Sequence, residues 1–136
     1  MNLNEIKQLP DIMSKEQLES YIIQYLDSIE NLEKINILET LECFSEFADR
    51  KTYTYELLSD SLRKRLDSFV QKIWDDTSSE LVDVYSSVVV NLNLKSSYNL
   101  MKESLNKDLD EDVREIIEET VNEIGEDIEV TCFTTT

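Results

Sequence analysis

Leu81-Val82-Asp83-Val84-Tyr85-Ser86-Ser87-Val88-Val89-Val90-Asn91-Leu92-Asn93-Leu94 decides the fold. Val82, Val84, Val88, Val90, Leu92 and Leu94 alternate as a strand would, and β-branched residues favour that state. A helical reading instead selects Leu81, Val84, Tyr85, Val88, Val89 and Leu92. The chain 32 residues further on favours the helix over the strand, because that offset pairs Leu81 with Val113, Val84 with Ile116 and Tyr85 with Ile117. It continues by pairing Val88 with Thr120, Val89 with Val121 and Leu92 with Ile124. The later segment, Asp110 to Gly125, starts acidic and stops at a glycine, as helices do. Helices are therefore expected over 79–93 and 110–125.

Working outward, Tyr98, Leu100, Met101 and Leu105 predict a shorter helix within 96–106. Leu58, Leu62, Leu66, Phe69, Val70, Ile73 and Trp74 predict a long one from Tyr55 to Asp75, with Arg63, Lys64 and Arg65 on its polar side. Leu32, Ile35, Leu38, Leu41, Phe44 and Ala48 predict a helix over 31–48, and the pattern breaks from Asp49 to Thr54. Ser14-Lys15-Glu16-Gln17 has capping-box spacing ahead of Leu18, Tyr21, Ile22, Tyr25 and Leu26, so a helix is expected over 14–27. Residues 1–13 form an irregular or short helical lead-in with Leu3, Ile6, Leu9 and Ile12, and 126–136 a flexible acidic, Thr-rich tail. One Gly and one Pro leave almost no turn chemistry for strands. The expected fold is all-α, a single helical domain of antiparallel hairpins over 1–136.

A period near 32 in paired helices is the sign of a helical solenoid, in which each hairpin buries its face against its neighbours. Asp108-Leu109-Asp110-Glu111-Asp112-Val113-Arg114, followed by Ile116, Ile117, Val121, Ile124 and Gly125, resembles the inter-helix turn and second helix of a HEAT repeat. The copy at 59–93 has Leu81-Val82 where that family has Val-Arg, so its ladder of turn contacts should differ. The architecture expected is a HEAT-like short solenoid or a plain helical bundle.

The same composition excludes several functions. A lone Gly builds no phosphate-cradling loop. With no His there is no Ser/His or Cys/His nucleophile, and the commonest transition-metal ligand is missing. Asp108, Asp110, Asp112 and Glu119 match EF-hand spacings, but Val113 stands where that loop needs Gly. No cofactor, metal or catalytic residue is expected, and the chain is read as a non-enzyme. No apolar run approaches the roughly 20 residues that span a bilayer, and the N-terminus is no signal peptide. A cytoplasmic location follows, with Cys43 and Cys132 reduced rather than paired.

What remains is charge. Thirty acids against 13 Lys and Arg give a net charge of −17, which disfavours direct contact with nucleic acid. Eleven of the acids lie between Asp108 and Glu129, against Arg114 alone. Glu115, Glu118, Glu119 and Glu123 share the side of the last helix opposite Val113, Ile116, Ile117 and Ile124. Such crowding costs stability, and it speeds encounter with an oppositely charged partner. Tyr53 and Tyr55 beside the break, and Trp74 beside Asp75-Asp76, are candidate aromatic anchors.

Length, charge, missing catalytic residue types and HEAT-like pairing together resemble the immunity proteins of bacterial polymorphic and contact-dependent growth inhibition toxin systems. That resemblance implies a monomer or weak dimer that binds a cognate basic toxin domain, a nuclease such as an RNase or tRNase, and occludes its active site. The acidic helix would then stand in for a nucleic-acid backbone, through Glu115, Glu119, Asp83 and Asp112, with Asp76 and Glu80 next. Under the 32-residue offset Asp83 and Glu115 are equivalent and should line one groove. The other class left open is a scaffold or regulatory module that binds a partner helix or peptide by apolar contact.

Overall fold

Ser14 opens the first long helix as its spacing predicts. Its Oγ accepts the Gln17 N–H at 3.2 Å, and Gln17 Oε1 accepts the Ser14 N–H at 3.3 Å. The computed structural model describes residues 1–126 and residue 128, and all regular elements among them are helical. In order they are α1 (Leu3–Lys7), α2 (Lys15–Ile29), α3 (Ile37–Thr52), α4 (Asp60–Lys72), α5 (Ser79–Asn91), α6 (Lys95–Glu103) with a 3₁₀ turn at Ser104–Asn106, and α7 (Glu111–Ile124). The contested segment is thus helix α5. The EF-hand spacing is overridden, since Val113 is buried in α7. Cys132 and most of the expected tail lie outside the described residues, while Cys43 is a buried free thiol.

Two expected boundaries need correction. The helix placed at 31–48 runs over Ile37–Thr52, because Asn36 caps it by accepting the Glu39 N–H at 3.0 Å. Leu32, counted as apolar face, is 56% exposed in the preceding loop. The helix continues through the expected break because Arg50 and Lys51 turn inward rather than to solvent. The helix placed at 55–75 covers only Asp60–Lys72. Tyr55 has φ +56°, which no helix accommodates, and Trp74 lies past the C-cap Ile73.

The helices stack in two layers. In one, α3 packs on α5 and α5 on α7, with α1 on the outer flank of α3; in the other, α4 packs on α6 and on α2. The hairpin pairs α2–α3, α5–α6 and α6–α7 join the layers. Here the first layer is termed the odd layer and the second the even layer. Three aromatic rings cross between them: Tyr25 meets Phe44 edge-on at 5.6 Å, and Phe44 meets Phe69 at 6.0 Å. The 32-residue equivalence is graded by position. Val88, Val89 and Leu92 are buried, whereas Thr120, Val121 and Ile124 are half-buried, because α5 has neighbours on both flanks and α7 ends the row.

Turn chemistry differs between the two copies. Arg114 donates to the carbonyls of Leu105 and Lys107 at 3.1 and 2.7 Å, tying α7 back to the preceding 3₁₀ turn. Its counterpart Val82 is buried, and the turn before α5 is closed by Asp75, which accepts the Thr77 N–H at 2.9 Å.

The even layer carries a ladder that no local pattern announces. Neither Ser59 nor Leu94 caps its own helix through a side chain. Instead Glu19 of α2 accepts the Ser59 N–H and Oγ–H at 2.9 Å each, at the start of α4. Asp67 of α4 accepts the N–H groups of Ser96 and Ser97 at 2.9 and 2.8 Å, at the start of α6. Each even helix thus places a carboxylate on the positive end of the next.

Candidate interaction surface

The three long odd helices lie parallel. Thr77, Ser78 and Ser79 before and at the start of α5 share a groove of about 540 Å³ with Asp110, Glu111, Asp112 and Val113 at the start of α7. Ser86, Ser87, Val90 and Asn91 share a second one with Thr120, Glu123 and Ile124 further along. At the far end of α3, Lys51 Nζ donates to Oδ1 of Asn93, just beyond α5, at 2.7 Å.

Parallel packing brings equivalent positions into rank. Glu39, Glu42, Glu46 and Asp49 recur on α3 at spacings of three and four, which is one helical face. Glu80, Asp83, Ser87 and Asn91 do so on α5, and Asp112, Glu115, Glu119 and Glu123 on α7. Glu42, Glu46 and Asn91 are half-buried and the others exposed. Charge is consequently sorted by layer. Helices α3, α5 and α7 carry twelve acids and three cations, whereas α2, α4 and α6 carry six acids and seven cations.

Pairing sharpens the contrast. Of the odd-layer cations, Arg50 and Lys51 are buried and Arg114 is half-buried on backbone carbonyls. In the even layer, Arg65 holds Asp27 at 2.6 Å and Glu30 at 2.8 Å, which draws the Glu30 carboxyl below its ordinary range. Arg63 holds Asp60, while Asp67 and Glu19 sit on helix starts. Among the described residues Asp83, Asp112, Glu115, Glu119, Glu123 and Glu80 make no ion pair; Glu118 lies 4.0 Å from Arg114. Desolvation first, and then Glu46 and Asp11, push the Asp49 carboxyl above the usual range against the pull of Arg50.

The residues singled out from sequence separate into three groups. Asp112, Glu115, Glu119 and Glu123 form one stripe, with Asp83 and Glu80 on the neighbouring helix and Glu118 turned to the outer flank. The groove expected between Asp83 and Glu115 is walled by Asp112 and Glu123 instead, and both of the expected residues stand exposed beside it. Asp76 is half-buried and paired with Lys107 at 3.7 Å. Trp74 is a half-buried strut, its Nε1 donating to Ser104 Oγ at 3.1 Å and its ring packed on Tyr85 at 4.6 Å. Tyr53 and Tyr55 are exposed at the end of α3.

The acids of α3 escaped the sequence reading. Their spacing was visible, but Arg50 and Lys51 masked the excess charge until the fold placed both inside. Among the described residues no group of three or more metal-ligating side chains is arranged to hold an ion, and no helix is long and apolar enough to cross a membrane. No protein-family model, curated protein or solved structure matches the chain.

Proposed function

We propose that this protein is a cytoplasmic immunity protein that neutralises a cognate basic toxin domain, a nuclease, by laying its acidic odd-layer face over the toxin's phosphate-binding cations. The observation that carries the reading is the row of unpaired carboxylates Asp112, Glu115, Glu119 and Glu123 on α7, flanked by Glu80 and Asp83 on the parallel α5. Side chains without internal partners keep their full charge for a ligand. A rigid rank of carboxylates presents hydrogen-bond acceptors to Lys and Arg much as a phosphate backbone does. Retaining self-repulsion on one face, while the opposite layer balances its charge, suits a surface that is relieved on binding.

The test is binding to a basic nuclease domain, to be sought first at the C-terminus of any secreted protein encoded beside this chain. Glu115→Lys with Glu119→Lys should lower the association rate constant by about tenfold or more, with thermal stability nearly unchanged. The wild-type rate should fall steeply as salt rises. An unaltered affinity in that double variant removes the reading. A scaffold that binds a partner helix by apolar contact would show an association rate almost indifferent to salt.

A further inference from the structure

We propose that the C-terminal turn of α3 is a second contact in the same interface, an aromatic seat for an arginine of the partner. Tyr53 and Tyr55 take the guanidinium plane, and Asp49 takes its charge. The inference rests on the reading of the partner as a basic protein.

Three features converge there on a cation. The first is the negative end of the α3 dipole, where the carbonyls of Asp49, Lys51 and Thr52 accept neutral donors from Thr52, Thr54 and Tyr55. The chain's own Arg50 and Lys51, placed to neutralise it, are buried: Arg50 donates to carbonyls of Lys7, Leu9 and Pro10, and Lys51 to Asn93. The second is Asp49, exposed, four residues before Tyr53 and on the same helical face. The third is the pair of rings. Tyr53 is 52% and Tyr55 73% exposed, a large apolar area left in water.

Their display is held by the backbone. Tyr55 has φ +56°, a conformation that costs a bulky residue about 1 kcal/mol or more. Thr54 pins the turn, its Oγ1 donating to the Lys51 carbonyl at 2.7 Å and accepting the Glu56 N–H at 3.2 Å. A flat, weakly hydrated guanidinium fits between exposed rings and a carboxylate better than the compact ammonium of lysine. With two helix spacings of about 8–10 Å separating α3 from α7, the partner's footprint spans about 16–20 Å across the odd layer.

The experiment titrates the isotope-labelled protein with hexa-arginine and with hexalysine, following backbone amide shifts and affinity at low salt. Shifts at residues 49–56, tighter binding of the arginine peptide, and a loss of about three- to tenfold in Tyr53→Ala with Tyr55→Ala support the proposal. Tyr55→Gly separates ring from backbone, since glycine adopts positive φ freely. It should raise the melting temperature while weakening the arginine peptide, and unchanged affinity there overturns the proposal. Shifts confined to α7, lost in Glu115→Lys with Glu119→Lys, overturn it too but leave the acidic-face reading standing. Binding indifferent to both double variants and to salt removes both.

Discussion

Arg50 holds the N-terminal lead-in to the body of the molecule. Its guanidinium donates to the carbonyls of Lys7, Leu9, Pro10 and Glu46 and to the Glu46 carboxylate, at 2.9–3.3 Å. Arg50→Ala strands those acceptors beside a cavity, so a loss of about 2–4 kcal/mol is expected in urea denaturation, with faster amide exchange in α1. No loss would mean that solvent replaces the clamp. Tyr85 predicts the opposite sign. Its hydroxyl is buried without a hydrogen bond, although Ser97, whose own hydroxyl goes to Asp67, lies beside it. Burial pushes the phenol upward, and the ring keeps its packing on Trp74 without the oxygen. Tyr85→Phe should therefore be neutral or stabilising by up to about 1 kcal/mol, and a clear destabilisation would reveal a partner for the oxygen.

At the scale of the helix, the question is where each one starts. Ser14 and Gln17 are three residues apart, so their capping box is readable from sequence, as is the glycine that ends α7. The starts of α4 and α6 are not, because their carboxylates come from Glu19 and Asp67, 40 and 30 residues earlier. Asp67→Ala removes the cap of α6 and leaves its first amides without a protein acceptor. A cost of about 1–2 kcal/mol is expected, with the earliest exchange at Ser96 and Ser97. Equal protection in wild type and variant would show that water serves as well. The bounds of α3 depart from its apolar period for a related reason. Leu32 and Ile35 extend the apolar period, but Asn36 stops the helix locally, and only burial of Arg50 and Lys51 carries its other end to Thr52.

For the molecule as a whole, more than half of the net charge of −17 lies on the odd-layer helices, with twelve acids against three cations. Repulsion between unpaired stripes is longer in range than the ion pairs of the even layer, and salt screens it first. Raising sodium chloride to about 0.5 M should increase the melting temperature, read from Trp74 fluorescence, while slowing partner association. A fall in melting temperature would mean that Arg65 with Asp27 and Glu30, and pairs like it, outweigh the repulsion.

The sequence by itself determined that the chain is all-helical, that α5 and α7 are equivalent, and that the last third is the most acidic. They follow from composition, from near-neighbour spacing and from a match 32 residues along the chain, none of which needs knowledge of packing. Only the tertiary structure decided that α3, α5 and α7 share a face, that two cations on α3 are interior, and that Trp74 is a strut while Tyr53 and Tyr55 reach solvent. These depend on which helix flanks which, set by side-chain burial across tens of residues, and on how a buried guanidinium or ammonium finds its acceptors.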